Sequence, residues 1–399
     1  MESAKVVVVG SGAFGASVAY HLAAMGCQDV AVLEGRGLAS QTSPRAAGLT
    51  RVANADRPEL GRLQLRSIAK IKKFQAETGE QLDWVQSGSV SIARDDATSA
   101  LMHREIDVGT QLGVRVEEIG AQELHTLVPY AEPINVQAAW YTEEDIYLEP
   151  GPLPHGYLAA AGRMGVELLE NTAVIGIELD RGAVCAVKTS AGRIGCETVV
   201  NAAGAWAPNV ARMVGVHLPI VPMRHQILLT ESIPSVDAAN SACRVRDAKV
   251  YLRPSGGGLL FGGYEPDPLH VLSWPSSGGD MAELPLDRAV LDLLIASVAD
   301  VFPSITAAPV REHRGGLPTM TPDGYPIVGD SGVPGFELIT GCNVGGLSIS
   351  PALGELLAAA IIDGRQRSEL AGFSLGRFPT DIPQPDLLRA ARETYGSAR

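Results

Sequence analysis

Three glycines and one acidic residue near the start of the chain have the types and spacing that bind a dinucleotide. Gly10, Gly12 and Gly15 form a G-x-G-x-x-G segment, and Glu34 follows about 20 residues later. In such a segment the glycines permit a tight turn, a close approach to a pyrophosphate and close helix packing, while the acidic residue holds ribose hydroxyls. Glu34 would repel a 2′-phosphate, which argues against NADP. A glycine-rich turn of another α/β fold is the alternative.

The flanking residues predict the elements that position this segment. A run of valines over 5–9 is typical of a buried strand, an alanine-rich stretch up to Gly26 predicts a helix, and residues 29–33 predict a second strand that ends at Glu34. A second glycine turn follows a buried strand over 198–200 and includes Gly204 and Trp206. Both turns are expected at strand ends, where parallel sheets bind nucleotides.

Composition narrows the classes of partner and compartment. The 399 residues are 46% hydrophobic, enough for a large core, and the net charge is −13 without basic runs, which disfavours nucleic acid and anionic membrane surfaces as partners. Apolar stretches are interrupted before they reach membrane-span length, and a strand begins too early for a signal peptide. The five cysteines are scattered, and the histidines do not cluster. We therefore expect a reduced, cytoplasmic chain without disulfides or a metal site.

Hydrophobic periodicity predicts alternating helical and β-rich regions. Helices are predicted over 59–78, 99–112, 151–165 and 286–301, and strands over 84–94, 166–169, 171–179, 183–189, 193–197, 198–200, 227–230, 249–253, 259–263 and 336–340. Ser350 as N-cap and Pro351 at the first helical position predict a last helix over 351–363, and the tail after Gly364 is expected to be loosely attached.

Nucleotide-type segments occur at the beginning, middle and end of the chain, with β-rich inserts between them. This order predicts one nucleotide domain that is interrupted twice, formed by residues 1–84, 146–218 and 310–399. The inserts, residues 85–145 and 219–309, would form a second, substrate-binding domain.

Four stretches of the sequence resemble a known family. They are VVVVGSGAFGASVAYHLAAMG with VLE, VVNAAGAWA, MRHQILLTE with VYLRPSGGGLLFGGYEPD, and TPDGYPIVGD with TGCNVGGLSISPALGELLA. The chain is similar over nearly its whole length to the FAD-dependent D-amino-acid oxidase superfamily (D-amino-acid, glycine and sarcosine oxidases), and most of all to the flavin domain of dimethylglycine and sarcosine dehydrogenases. The resemblance implies a two-domain α/β (α+β) fold, with a Rossmann-like FAD-binding domain and a substrate domain on a large, mostly antiparallel sheet.

The resemblance also implies which residues contact FAD. Gly345 to Ser348 would place backbone N–H groups at the flavin edge where negative charge develops, although a glycine-rich connector is the alternative. The full set of implied cofactor contacts is Gly10, Gly12, Ala13, Phe14, Gly15, Glu34, Gly35, Arg36, Ser43, Ala47, Gly48, Leu49, Thr50, Ala173, Val174, Ala203, Gly204, Trp206, Gly316, Pro318, Gly345, Gly346, Leu347 and Ser348.

Three residues are candidates for the chemistry. His225 lies in an H-Q context that matches an active-site histidine of the dimethylglycine-type enzymes, and an imidazole can accept a proton near neutral pH. Tyr251 matches a family tyrosine that could orient the amine or the carboxylate. Arg51 matches a Thr-Arg pair beside the flavin of sarcosine oxidases. A structural histidine, a packing tyrosine and a surface ion pair are the alternatives.

The sequence departs from the family at other positions. Leu260 stands where sarcosine oxidases carry a lysine linked to oxygen reactivity, Ser348 where they carry a basic carboxylate ligand, and Val344 near an arginine of glycine oxidases. The substrate carboxylate would then depend on another arginine, with Arg51, Arg253 and Arg314 as candidates, or would lie far from the amine.

Covalent attachment of the flavin is not expected. The family's histidine after a Thr-Ser pair is replaced by Pro44, and the cysteine position of sarcosine oxidases falls near Gly316, although Cys342 is close enough to keep the alternative open.

The sequence therefore predicts an FAD-dependent oxidoreductase of secondary or tertiary amino acids, of the N-methyl or N-carboxymethyl type. Hydride would pass to FAD from the carbon next to nitrogen, and hydrolysis of the iminium would release an aldehyde or keto acid. Oxygen or an electron-transfer carrier would reoxidise the flavin. The alternatives are an FAD-dependent dehydrogenase of a hydroxy acid and a flavin-holding subunit of an electron-transfer complex.

Overall fold

The computed structural model describes residues 1–271 and 279–397. Its strands are β1 Ser3–Val9, β2 Val30–Leu33, β3 Trp84–Val85, β4 Ser89–Ala93, β5 Val116–Ile119, β6 Ala138–Thr142, β7 Tyr147–Leu148, β8 Glu167–Leu169, β9 Val174–Asp180, β10 Ala183–Thr189, β11 Gly192–Asn201, β12 Val221–Pro222, β13 His225–Thr230, β14 Ala242–Val245, β15 Val250–Ser255, β16 Gly258–Gly263, β17 Val310–Gly316, β18 Thr319–Met320, β19 Ile327–Asp330 and β20 Phe336–Thr340. Its α-helices are α1 Ala13–Ala24, α2 Pro58–Thr78, α3 Asp96–Leu112, α4 Ala121–Leu127, α5 Pro152–Arg163, α6 Ala207–Arg212, α7 Arg288–Ala296, α8 Pro303–Ala307, α9 Gly346–Asp363 and α10 Gln384–Ser397.

One sheet has the parallel core of a nucleotide-binding domain. Its strands lie in the order β19-β20-β11-β1-β2-β8, and the β9–β10 hairpin extends from β11. The valine-rich β1 lies between β2 and β11 and pairs in parallel with both, which explains its apolar run because both faces of a central parallel strand are covered. β20 is also parallel to β11, so the loops that follow β1, β11 and β20 meet at one edge of the sheet.

Helices α1 and α9 cross closely on one face of this sheet. A Cβ atom at Gly354 of α9 would lie 2.2 Å from the Ser17 hydroxyl of α1, so only glycine permits this approach. α1 follows β1 and α9 follows β20, and both helices therefore begin at the edge where the glycine loops meet. Among the described residues only α9 is long and apolar enough to span a membrane, but most of it is buried inside the protein, as is usual for a core helix.

The second sheet is large and mostly antiparallel. Its order is β17-β13-β16-β15-β14-β4-β6-β5, and the pair β14–β4 is parallel. Leu228, Leu252 and Phe261 pack with α7 on one face, while Ile227 and Tyr251 face the other way. The predicted fold class is confirmed. The predicted nucleotide domain includes residues 310–399, whereas β17, which begins at residue 310, belongs to this second sheet. The domain boundaries stay a prediction.

Most predicted elements are present with small shifts at their ends. The strands predicted over 183–189 and 336–340 have those bounds, and α2 begins one residue earlier than predicted. Residues 193–200 form the single strand β11. The strand predicted over 84–94 is wrong, because Gly88 has a left-handed φ of +66° and separates β3, which pairs with β7, from β4 in the large sheet.

The predicted start of the last core helix is wrong. Helix α9 begins at Gly346, and Pro351 lies inside it. A proline at this position cannot donate to the carbonyl of Leu347, but the Ser350 hydroxyl donates to that carbonyl at 3.2 Å. Ser350 therefore compensates an internal proline rather than capping the helix, and the additional turn brings Gly346 to Ser348 into the helix.

The C-terminal tail is not loosely attached, which corrects a second expectation. Helix α10 buries Ala391 and Tyr395 against Val221, Met223 and Met320 of the β12–β18 region. Apolar residues at 387, 388, 391 and 395 have the spacing of one helical face, and this signal was available in the sequence.

Candidate functional site

A deep cleft lies where the glycine loops of the first sheet face the second sheet. It contains about 1570 Å³ free of protein atoms, including its open mouth. A concave lining that is mostly apolar with a few polar groups is usual for a cofactor or small-molecule site. Its lining comes from the loops after β1 and β20, from residues 42–64 and from the second sheet.

The glycine turn after β1 forms one end of the cleft. Gly10 has a φ of +100°, which permits the tight turn, and a Cβ atom at Gly15 would lie only 1.9 Å from the carbonyl oxygen of Gly10. Gly12 is the N-cap of α1 and lines the cleft with Ala13, whose N–H donates to the Ser43 hydroxyl at 2.9 Å. The remaining N–H groups of the first helical turn make this end attractive to phosphates.

Glu34 lies beside this turn at the end of β2. Its carboxylate accepts hydrogen bonds from the Ser11 hydroxyl at 2.7 Å and from the backbone N–H groups of Ser11 and Arg36 at 3.1 and 3.0 Å. The Arg36 guanidinium donates to the Gly279 carbonyl at 2.8 Å. Glu34 is thus at the end of the strand where the family pattern expects a ribose.

The start of α9 forms another wall of the cleft. Gly345 is the N-cap, no side chain caps the helix, and residues 345–348 line the cleft. Thr340 lines it from the end of β20 and is almost completely buried, yet its hydroxyl has no hydrogen-bond partner in the described part of the chain. This wall therefore presents helix N–H groups and a spare hydroxyl to a ligand.

The predicted cofactor residues divide into two groups. Those that line the cleft are Gly12, Ala13, Phe14, Ser43, Ala47, Gly48, Leu49, Gly204, Gly316, Pro318, Gly345, Gly346, Leu347 and Ser348. Those that are not among the lining residues are Gly10, Gly15, Glu34, Gly35, Arg36, Thr50, Ala173, Val174, Ala203 and Trp206.

His225 and Tyr251 come together on the facing sheet. The Nε2 atom of His225 is 2.7 Å from the Tyr251 hydroxyl, and its Nδ1 atom is 2.8 Å from the hydroxyl of Tyr395. Tyr264 lies at 5.1 Å between ring centroids from His225 and also lines the cleft. Sequence analysis missed Tyr395, because a residue 170 positions from His225 gives no local signal.

A glycine makes the contact between His225 and Tyr251 possible. Tyr251 on β15 pairs with Gly262 on β16, and β16 lies between β15 and β13, which carries His225. A Cβ atom at Gly262 would lie 2.3 Å from the Tyr251 hydroxyl. The tyrosine therefore lies across the bare backbone of Gly262 and reaches the histidine on the strand beyond it.

Burial keeps these side chains uncharged. It lowers the pKa of His225 to about 4 and raises the pKa of Tyr251 well above its usual range. In a neutral imidazole one nitrogen donates and the other accepts, so one of the two tyrosines accepts an N–H from His225 and the other donates its O–H. The group is a neutral hydrogen-bonded relay that faces the cleft at His225 and Tyr251.

Arg51 lines the cleft but is already paired. Its guanidinium forms an ion pair with the buried carboxylate of Glu105, which Arg246 also contacts at 3.1 Å. Burial raises the pKa of Glu105, but the two guanidinium charges outweigh burial and hold that pKa below its usual value.

The two other candidate arginines lie outside the cleft lining. Arg253 is completely buried and donates to Glu149 at 2.9 Å, and Arg314 lines a separate, shallower pocket. Three arginines that sequence analysis did not select line the cleft, namely Arg45, Arg57 and Arg244, and Arg244 lies on β14 opposite Tyr251. Nothing in its local sequence distinguishes it from other strand residues.

The structure also shows where the residues considered for covalent flavin attachment lie, and whether the cysteines and possible metal ligands come together. Pro44 stands outside the lining, Gly316 and Cys342 line the cleft, and the Cys342 sulfur accepts a hydrogen bond from the Thr319 N–H at 3.3 Å. All five cysteines are unpaired in the described ranges. Among the residues that the structure describes, no group of three or more His, Cys, Asp or Glu side chains could hold a metal ion.

Comparison with known proteins agrees with this geometry. Residues 5–360 match the DAO family, which is described as FAD dependent oxidoreductase. The chain is 31% identical over 394 residues to human mitochondrial sarcosine dehydrogenase, covering 96% of this chain and 42% of that protein. It is 29% identical over 411 residues to mouse mitochondrial dimethylglycine dehydrogenase, covering 99% of this chain and 46% of that protein. The chain thus spans less than half the length of these two relatives.

A solved structure shows the same fold. L-proline dehydrogenase from P. horikoshii superposes with a TM-score of 0.84 at 26% sequence identity, covering 94% of this chain and 98% of that chain. The similarity therefore includes both sheets and the cleft between them, and is not limited to the glycine motif.

Proposed function

The chain belongs to the DAO family of FAD-dependent oxidoreductases, and from this we propose that it oxidises the C–N bond of a secondary or tertiary amino acid of the N-methyl or N-carboxymethyl type. The observation that carries this proposal is the neutral His225–Tyr251 pair, which faces the glycine loops across one cleft. The names of the relatives, sarcosine and dimethylglycine dehydrogenase, support an N-methyl amino acid as the substrate.

The residues of the cleft fit FAD. Gly12 and the start of α1 suit the pyrophosphate, since a side chain at Gly12 would meet the Ser43 hydroxyl at 3.1 Å. Glu34 suits the adenosine ribose. The start of α9 and the orphan Thr340 hydroxyl suit the polar edge of the isoalloxazine ring, where negative charge develops. When bound, FAD supplies the acceptor for a hydride.

The residues of this chain then select and orient the amine. The buried surroundings that lower the pKa of His225 also disfavour a protonated amine, so the site favours the neutral form, whose lone pair assists loss of hydride from the adjacent carbon. Tyr251 is held by His225 and can offer its hydroxyl to the substrate. The iminium product takes up water and separates into an aldehyde or keto acid and a smaller amine.

We extend the proposal to the setting of the reaction. FAD is held without a covalent bond, because Pro44 and Gly316 offer no nucleophile, and denaturation should release all of the flavin. Recovery of flavin bound to Cys342 would contradict this. Oxygen or an electron carrier reoxidises the flavin, and no nucleic acid or membrane takes part; the scattered, unpaired cysteines support a reducing, cytoplasmic compartment.

The first experiment identifies the substrate class. The purified yellow holoprotein is mixed anaerobically with N-methyl and N-carboxymethyl amino acids, unsubstituted amino acids and hydroxy acids, and the visible flavin absorption is followed. We expect bleaching by the N-substituted amino acids. Bleaching by hydroxy acids alone would establish the hydroxy-acid alternative instead, and no bleaching by any compound would favour a flavin-holding subunit.

A matched pair of variants then tests the role of His225. We expect His225→Ala to slow bleaching by about 10-fold or more with unchanged flavin content, since it removes the hydrogen bond that holds the Tyr251 hydroxyl, and such a bond contributes about 1 kcal/mol. His103→Ala, on the exposed face of α3, is the control and should bleach at the wild-type rate. An unchanged rate in His225→Ala would remove the assigned role.

A further inference from the structure

The substrate side of the cleft holds more buried positive charge than negative charge. Arg51, Arg244 and Arg246 contribute three guanidinium groups, and the carboxylates close to them are Glu105 and Asp145. Arginine does not deprotonate in proteins, so this arrangement leaves one positive charge without a carboxylate. Because an uncompensated buried charge is costly, the cluster is expected to bind an anion.

Among the described residues, Arg244 is the arginine of this cluster that forms no direct ion pair with a carboxylate. Its Nη2 atom donates to the Thr50 carbonyl at 2.7 Å, whereas its Nη1 atom is buried and has no hydrogen-bond partner within the described residues. The residue is only 8% exposed and lines the cleft. The Nε atoms of Arg51 and Arg246 are also buried without a partner among the described residues, but both guanidinium groups form ion pairs with Glu105. Asp145 attracts Arg244 through its charge, but it accepts its hydrogen bonds from other groups, including the Val52 N–H at 2.8 Å and the Ser89 hydroxyl at 2.5 Å.

The position of Arg244 matches the end of an amino acid opposite its amine. Arg244 and Tyr251 are directly paired on neighbouring antiparallel strands, so their side chains leave the sheet on the same face. Tyr251 in turn contacts His225. The cleft surface therefore presents, in order across the sheet, a guanidinium, a tyrosine hydroxyl and an imidazole.

We propose that the Nη1 atom of Arg244 binds the carboxylate of the amine substrate, with Tyr251 and Tyr264 beside it, and so restricts the enzyme to amines that carry a carboxylate. This inference rests on the proposed function and specifies its substrate class. In this role Arg244 takes the place of the basic carboxylate ligand that sarcosine oxidases carry where this chain has Ser348. A carboxylate at this place neutralises the surplus positive charge and accepts a hydrogen bond from the Nη1 atom of Arg244.

The decisive experiment compares paired substrates in matched variants. An N-methyl amino acid and the corresponding amine without the carboxylate are each used to bleach the holoprotein anaerobically. Arg244→Gln should raise the apparent Kd for the amino acid by about 10- to 100-fold, the range of a charge-assisted hydrogen bond, and leave the amine unaffected. Arg244→Lys keeps the charge and should lose less. Arg314→Gln is the control, because Arg314 also has unpartnered nitrogens but faces another pocket.

A second measurement does not depend on turnover. Acetate, which carries a carboxylate but no amine, is titrated into the holoprotein while the flavin spectrum is recorded. We expect a saturable shift in wild type and in Arg314→Gln that is weakened by about 10-fold or more in Arg244→Gln. Flavin content and thermal unfolding verify that each variant is folded.

The outcomes separate this inference from the proposed function. An unchanged Kd for both the amino acid and acetate in folded Arg244→Gln would overturn the role of Arg244, even if the protein still oxidises amines. Equal loss of affinity in Arg314→Gln would overturn it as well. If no amine bleaches the wild-type protein, the proposed function fails, and loss of acetate binding in Arg244→Gln would still assign an anion site to this residue.

Discussion

The two ends of the cleft are built in opposite ways. The glycine-loop end comes from one continuous segment, in which Gly10, Gly12 and Gly15 lie within six residues and Glu34 follows soon after. The substrate end combines His225, Tyr251, Arg244 and Tyr395 from three strands of one sheet and a C-terminal helix. The first end is encoded by backbone conformation at neighbouring positions. The second depends on strand register and on the packing of a distant element.

This difference determines how each end should fail. At Gly10 and Gly15 there is no room for an added atom, and a single methyl group should abolish cofactor binding. At the substrate end the hydrogen bonds are made by side chains, which can be removed one at a time while the cofactor stays bound.

The largest effect is expected from Gly15→Ala. The new methyl group would overlap the carbonyl oxygen of Gly10, 1.9 Å from the ideal Cβ position, which requires backbone movement and should cost more than about 3 kcal/mol. We expect protein that is colourless or poorly folded, as shown by flavin absorbance and thermal unfolding.

Gly162→Ala is the matched control for this substitution. Gly162 also lies in a helix, but its nearest neighbour would be at an ordinary contact distance of 3.6 Å. Alanine there should bind flavin normally and gain up to about 1 kcal/mol of helix stability. Normal flavin content in Gly15→Ala would show that this end is less tightly constrained than its geometry indicates.

A smaller effect is expected on the pH dependence of the unfolding free energy, to which one buried histidine from each region contributes. Burial lowers the pKa of both His21, on α1, and His225 to about 4, whereas an unfolded histidine titrates near 6.5. Between these values the unfolded chain binds more protons, so stability is complete above about pH 6.5 and is lost as the pH falls toward 4. Each histidine should therefore cost about 2 kcal/mol of unfolding free energy between pH 7 and 5.

Denaturant unfolding at the two pH values tests this comparison. His21→Leu and His225→Leu should each reduce the acid-induced loss, but only His225→Leu should slow flavin reduction. His103→Leu, at an exposed position, should change neither quantity. An unaltered pH dependence in both buried-site variants would contradict the assignment of neutral histidines.

The smallest effect is expected from Tyr395→Phe. This substitution removes the hydroxyl that contacts the Nδ1 atom of His225 and holds the imidazole in place. The activation free energy of flavin reduction should rise by about 1 kcal/mol, which lowers the limiting rate roughly 5- to 10-fold. Flavin content and the apparent Kd for substrate should not change. Tyr20→Phe, whose hydroxyl contacts the Glu77 carbonyl at 3.3 Å, is the control. A wild-type rate in Tyr395→Phe would show that α10 does not position the histidine.

The accuracy of the sequence analysis follows the same division. The β1–α1–β2 unit and the strands over 183–189 and 336–340 were predictable, because hydrophobic runs and glycine turns are local signals. The beginning of α9 was not, since Pro351 suggested a start that the Ser350 hydroxyl makes unnecessary. Helix α10 carried an amphipathic pattern, but no local feature indicated that its Tyr395 would reach His225.

The candidate site shows this limit most clearly. His225 and Tyr251 were selected through motifs that resemble a family, and the structure places them in contact across Gly262. Arg51 was selected in the same way, but its charge is taken by Glu105. Arg244 was not selected, because only folding determines which arginines line the cleft and which of them pair with a carboxylate.

The sequence by itself determined the tight turn at Gly10, the helix that begins directly after this turn, and the position of Glu34 directly after β2. These features follow from backbone sterics, which act between adjacent residues. Only the tertiary structure decided which charges pair and which remain available. Residues that are far apart in the chain become neighbours through strand register and helix packing, and the cost of burying a charge depends on the partners that folding brings to it.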